Sequence, residues 1–108
     1  MLDTSHPQSV HIFEAGRLEG EILTLSKRII SLPLPDRGAS QQGGLHALTQ
    51  LRKLNLEHFG GSSFIASAID DLESAFNGLI SEAHPRLTSI MPALNRLRSE
   101  QGFRTNFI

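Results

Sequence analysis

Between His11 and Leu32, one set of positions recurs in alternating steps of four and three: His11, Ala15, Leu18, Ile22, Leu25, Ile29 and Leu32. That rhythm follows the 3.6-residue repeat of an α-helix and not the two-residue repeat of a strand. It lays down one seam for packing against other helices. A second stripe, Ile12, Gly16, Leu23 and Ile30, lies about 100° around the same helix. A small bundle needs one stripe, so the second predicts a contact with a partner. The same rhythm returns in Ile65, Ile69, Leu72, Phe76, Leu79 and Ala83. The chain is therefore expected to be all-α.

Composition supports that expectation. The apolar residues are mostly Leu, Ile, Ala and Phe, with one Val and neither Trp nor Tyr. Few β-branched and aromatic residues favour helix over sheet. At 108 residues the chain fits a single domain spanning 1–108. The absence of Cys rules out disulfides, thiolate metal sites and Cys nucleophiles. The first residues, Met1 to Pro7, carry neither a basic nor an apolar signal region, and no apolar run is long enough to span a membrane. A cytoplasmic location is the expectation.

Four helices can be placed along the chain. Ser5, Pro7 and Gln8 mark the start of the first, which runs to Ser31, where Pro33 and Pro35 end it. Residues 33–44, rich in Pro, Gly, Ser and Gln, read as a flexible linker. Helix 2 runs from Leu45 to Phe59, with Ala47, Leu48, Leu51, Leu54, Asn55, His58 and Phe59 on its inward arc. Gly60 and Gly61 stop it, and Ser62 or Ser63 caps helix 3, Phe64–Ala83. Pro85 opens helix 4, whose seam is Leu87, Ile90, Leu94, Leu97 and Gln101. Pro92 should kink or split that helix and Gly102 should end it. The short apolar tail 103–108 is expected to dock, either on its own core or across a dimer.

The resulting fold is a small four-helix, mainly antiparallel bundle. Its expected core is Leu18, Ile22, Leu25, Ile29, Leu51, Leu54, Ile65, Ile69, Leu72, Phe76, Leu79, Ile90, Leu94 and Leu97. The competing layout is an open array in which helix 1 projects and completes its packing in a dimer. Net charge is −1, unevenly spread: residues 61–84 carry four acids and no base, and residues 85–108 carry a net +3. Two helices that attract each other account for this pattern.

No motif names a reaction. The five histidines form no H-E-x-x-H or paired H-x-x-E arrangement, so neither a metal nor any other cofactor is expected. Asn55 and His58 on the apolar arc read as polar groups that fix packing register, or as groups at an interface. Asp70, Asp71 and Glu73 read as a solvated face, no serine sits in a G-x-S-x-G elbow, and no glycine pattern cradles a phosphate. Arg96, Arg98 and Arg104 with Phe103 and Phe107 could make a small basic-aromatic patch. The acids of helix 3 would repel phosphates, however, and nucleic acid is not the expected partner. Gly16 and Gly20 match G-x-x-x-G. Each costs the helix roughly 1 kcal/mol relative to Ala, which close approach of another helix at Gly16 would offset.

These readings converge on a non-enzymatic protein–protein interaction protein. It is expected to be a small regulatory or adaptor protein that sequesters a partner, for example an anti-activator binding a transcription regulator, and to form a homodimer. Ile12, Gly16, Leu23 and Ile30 would be the interface anchors, with Arg17, Glu14 and Glu21 as a polar rim and Phe103 and Phe107 contributing from the tail. On this reading Leu23→Asp abolishes association and spares the helix, whereas unfolding would place Leu23 in the core. The alternatives are a secretion-type chaperone, a DNA-binding module and an enzyme. The enzyme would need two of His11, His58, His84, Asp70 and Glu82 to converge.

Overall fold

The computed structural model describes residues 9–106, and side chains from 10 to 102. Four helices, α1 (Ser9–Ser31), α2 (Gly38–His58), α3 (Ser63–Ser81) and α4 (Met91–Asn106), account for most of it. Short 3-10 turns at Leu34–Asp36 and Leu87–Ser89 lie in the connections, and no strand occurs among the described residues. The chain runs up, down, up, down. His11 meets His58 and Gly43 meets Leu25 between α1 and α2. Arg52 reaches Asp70, and Gly44 abuts Phe76, between α2 and α3. Arg96 reaches Asp71 and Ser67 between α4 and α3. The bundle measures 52 × 20 × 16 Å.

The seams form the core. Leu18, Ile22 and Ile29 of α1, Leu51 of α2, Ile65, Ile69, Leu72, Phe76 and Leu79 of α3, and Ile90, Leu94 and Leu97 around α4 are all buried. Leu25 and Leu54, expected in the core, are partly buried and pack against it. Ala15, Ala47, Leu48, Phe59 and Ala68 complete the core.

The segment read as a linker is corrected. Only its first part is a connection; residues 38–44 are the opening turns of α2. Gly43 and Gly44, which read as breakers, permit close packing. A Cβ on Gly43 would lie 3.1 Å from Leu25, and one on Gly44 would collide with the Phe76 ring. Arg37, just before α2, is buried. Its guanidinium donates to the carbonyls of Leu32 (3.1 Å), Leu79 (3.0 Å), Ile80 (3.2 Å) and Glu82 (2.7 Å). One side chain thus satisfies carbonyls left open where α1 and α3 end.

At the opposite end, Gly60 (φ 75°) and Gly61 (φ 62°) take the left-handed conformation that lets the chain reverse. The Asn55 carbonyl accepts from Phe59 and Gly61, while its side chain donates to the Ser62 carbonyl and accepts from the Ser62 amide, each at 3.0 Å. Ser62 then caps α3 by accepting from the Ile65 amide. Asn55 is therefore a satisfied core polar group that fixes the α2–α3 turn.

The last quarter also differs from expectation. No continuous helix runs from Pro85. A 3-10 turn and then α4 take its place, and the break falls at Ile90. Pro92 lies in the first turn of α4, where a helix leaves backbone N–H groups unpaired anyway. Gly102 does not end the helix, which continues to Asn106, so the backbone of 103–106 is helix and not tail. The expected cap at Ser5 lies outside the described residues.

Two substitutions test this packing. Gly44→Ala should cost about 2 kcal/mol through overpacking against Phe76, read as a lower urea midpoint at unchanged slope. Asn55→Ala should also cost about 2 kcal/mol, because it orphans the buried amide and carbonyl of Ser62.

Candidate functional site

The surface that needs explaining is the N-terminal half of α1. Its core side is anchored by Ala15, Leu18 and Ile22. Its outward side carries Val10 (63 % exposed), Ile12 (44 %) and Phe13 (75 %), with Gly16 also exposed. Among the described residues, nothing lies within 4 Å of the positions a Cβ would take on Gly16 or Gly20. Leu56 and Phe64, also exposed, flank the Gly60–Gly61 turn at the same end of the bundle.

The second stripe divides into two parts. Continued by the helical repeat, its row is Ile12, Gly16, Glu19, Leu23, Ser26 and Ile30. Leu23 is half-buried against the core and Ile30 is half-buried. Leu23 is therefore a packing residue, and the stripe is not one open face. Ser26 is fully buried and donates from Oγ to the Ile22 carbonyl at 2.7 Å. Ile12 and Gly16 are the exposed members of the row. Arg17 is held on the exposed flank, paired with both carboxylate oxygens of Glu14 (2.9 and 2.6 Å) and with Glu21 (2.6 Å). The hydrogen bond from Arg17 lowers the Glu14 pKa below the usual carboxylate range. The Phe103 side chain and all of Phe107 lie outside what the structure describes.

Beside Ile12 and Gly16 a groove of about 270 Å³ opens toward α4, bounded by Phe59, Arg98, Gln101 and Gly102 and floored by Glu19. Glu19 is 2 % exposed. Its Oε1 lies 3.4 Å from Arg98 Nε, and its Oε2 has no hydrogen-bond partner among the described residues. Burial pushes its carboxyl up to about 7, against the opposing pull of the Arg98 charge.

The candidate catalytic groups go elsewhere. Two of the histidines do converge. His11 and His58 stack with ring centroids 3.5 Å apart and planes 12° apart. Imidazole lone pairs lie in the ring plane, so stacked rings present faces to each other and do not aim both nitrogens at one ion. Glu57 Oε1 lies 3.9 Å from His58 Nε2. Among the described residues, no group of three or more His, Asp or Glu is arranged to hold a metal. Asp70 and Glu73 both pair with Arg52, at 2.9 and 2.7 Å, and Asp71 pairs with Arg96. The charge contrast between α3 and α4 is thus partly spent within the bundle. No described helix is long and apolar enough to cross a membrane.

Sequence reasoning missed Phe13 and Glu19. Phe13 belongs to neither stripe, but the helical repeat places it opposite the seam, where a large aromatic is a visible anomaly. Nothing marked Glu19 as buried, because its only cue is that it falls in the second stripe's own row. No protein-family model, no curated protein and no solved structure matches this chain.

Glu19 gives the fold a pH dependence of definite sign. Its pKa is 4.5 as a free side chain and about 7 in the fold, so the native state holds a proton that the unfolded chain releases. Stability therefore falls as pH rises from about 4.5 to about 7, by roughly 3 kcal/mol, and this contribution stays flat above that range. Glu19→Gln should remove that slope and be the more stable form at pH 8, measured by urea unfolding at pH 5 and pH 8.

Proposed function

We propose that this chain is a non-enzymatic interaction protein that sequesters a protein partner through the N-terminal half of α1, in the manner of an anti-activator masking a transcription regulator. The carrying observation is the exposure of Phe13 at 75 %, with Ile12 and Val10 around it and uncovered Gly16 beside them. An aromatic held out from a helix whose other face is firmly packed is the kind of anchor that dominates binding energy. The open space beside Gly16 and Gly20, where no described residue lies within 4 Å of an added Cβ, admits a neighbouring backbone and gives these two glycines a use. The Glu14–Arg17–Glu21 cluster borders the patch as a polar rim, which sets specificity more than affinity. The first partner to consider is a second copy of the chain.

A photo-crosslinking residue at position 13, introduced in the cells that make the protein, tests this reading. It should yield one discrete product, either with another protein or at twice 11.9 kDa with itself. The same residue at Thr88, near the opposite end, should yield none. Absence of a specific product at position 13 overturns the reading. Light scattering on dilution then separates the two products, and Phe13→Ser should abolish either while leaving helicity unchanged.

A further inference from the structure

The groove between α1 and α4 is lined by two kinds of surface. Ile12 and Gly16 of α1 and Phe59 at the end of α2 are apolar; Glu19, Arg98 and Gln101 are polar. Its volume of about 270 Å³ falls just under the roughly 300–1,000 Å³ of most small-molecule sites, so it suits a small ligand. We infer that this groove binds a small amphipathic carboxylate, with its head at Arg98 and Glu19 and its hydrocarbon chain along Ile12 and Phe59.

The polar groups select the head. Glu19 is 2 % exposed, and its Oε2 has no hydrogen-bond partner among the described residues. Buried polar atoms are nearly always paired. The last torsion of a glutamate side chain is soft, so a small rotation turns either oxygen toward the groove. Arg98 approaches Glu19 through Nε at 3.4 Å, and its side chain is 43 % exposed. The outer edge of the guanidinium is thereby open to solvent, and a planar fork of N–H donors suits a carboxylate. Gln101 brings a side-chain amide to the same border. An ammonium head would be repelled by Arg98, and a neutral alcohol would forgo its charge. A carboxylate accepts from the guanidinium, and also from Glu19 when that residue carries its proton. The chain of the ligand then covers Ile12 and Phe59 and removes apolar surface from water.

Binding is therefore coupled to a proton. Neutral Glu19 donates to the ligand head, whereas ionised Glu19 repels it. Burial raises the Glu19 carboxyl to about 7 against the pull of Arg98, the charged group from α4 that acts on it. The α2 side of the groove is the ring of Phe59, and the nearby His11 and His58 stack on each other. Ile12 and Gly16 border both this groove and the surface beside Phe13. The inference does not rest on the proposed partner, and its test needs none.

The test is a titration of the full isotope-labelled chain with octanoate, below its micellar concentration, followed through the backbone amide NMR signals at pH 6 and pH 8. Saturable shifts centred on Gly16 and Gly102 are expected. The Kd should be about tenfold larger at pH 8, because the protonated fraction of Glu19 falls from about nine-tenths to about one-tenth. Octylammonium and octanol should each bind at least about tenfold more weakly at pH 6, and Arg98→Met should weaken octanoate by a similar factor. Glu19→Gln keeps a donor that cannot ionise, so it should still bind octanoate, with the pH dependence gone. Absence of saturable shifts, shifts centred away from the groove, or octylammonium or octanol binding as tightly as octanoate would each overturn the inference. A pH dependence that survives in Glu19→Gln would assign the proton to the histidines and overturn it equally.

Discussion

A buried guanidinium fixes one end of this bundle. Arg37 is connected to the last carbonyls of α1 and α3 while it stands at the threshold of α2. A buried charge is costly unless its donors are used, and here backbone oxygens use them. α2 begins at Gly38, directly after this held side chain. The next turns then bring Gly43 against Leu25 and Gly44 against Phe76. At the far end, Asn55 performs a similar service with neutral hydrogen bonds around the Gly60–Gly61 reversal. Between these two polar ties, the Leu and Ile seams have little freedom to slip.

The seams were legible because they depend on spacing alone. A 4-3 rhythm of Leu, Ile and Phe leaves few alternatives to an antiparallel helical bundle. What escaped depended on tertiary context. The Gly-rich run 38–44 has the composition of a linker. Its glycines earn a helical place only because a ring and a leucine press on them, and that is invisible until α1 and α3 are beside them. Pro92 was readable as a disruptor; where the helix would begin was not, and a proline in the first turn disrupts nothing. Arg37 carried no signal at all, since an arginine between Asp36 and Gly38 reads as surface.

The second stripe shows the same limit within a single helix. The row that its apolar members share also contains Glu19 and Ser26, and Leu23 packs against the protein's own core. What remained open lay partly to one side, at Phe13. The histidines make a related point about chemistry. His11 and His58 came together as the enzyme alternative required, yet they meet face to face, and proximity without in-plane convergence gives neither a ligand set nor a relay.

The two ends of the molecule carry unequal obligations. Around Arg37 the buried guanidinium ties the ends of α1 and α3 to the start of α2. Around the other end, Val10, Phe13, Leu56 and Phe64 stand largely in solvent and contribute little to folding. Natural variation at those four positions would be nearly free of any stability constraint. If descendants of this sequence keep large apolar residues there, the selection acting on them is for recognition, since a serine or lysine would serve the fold as well.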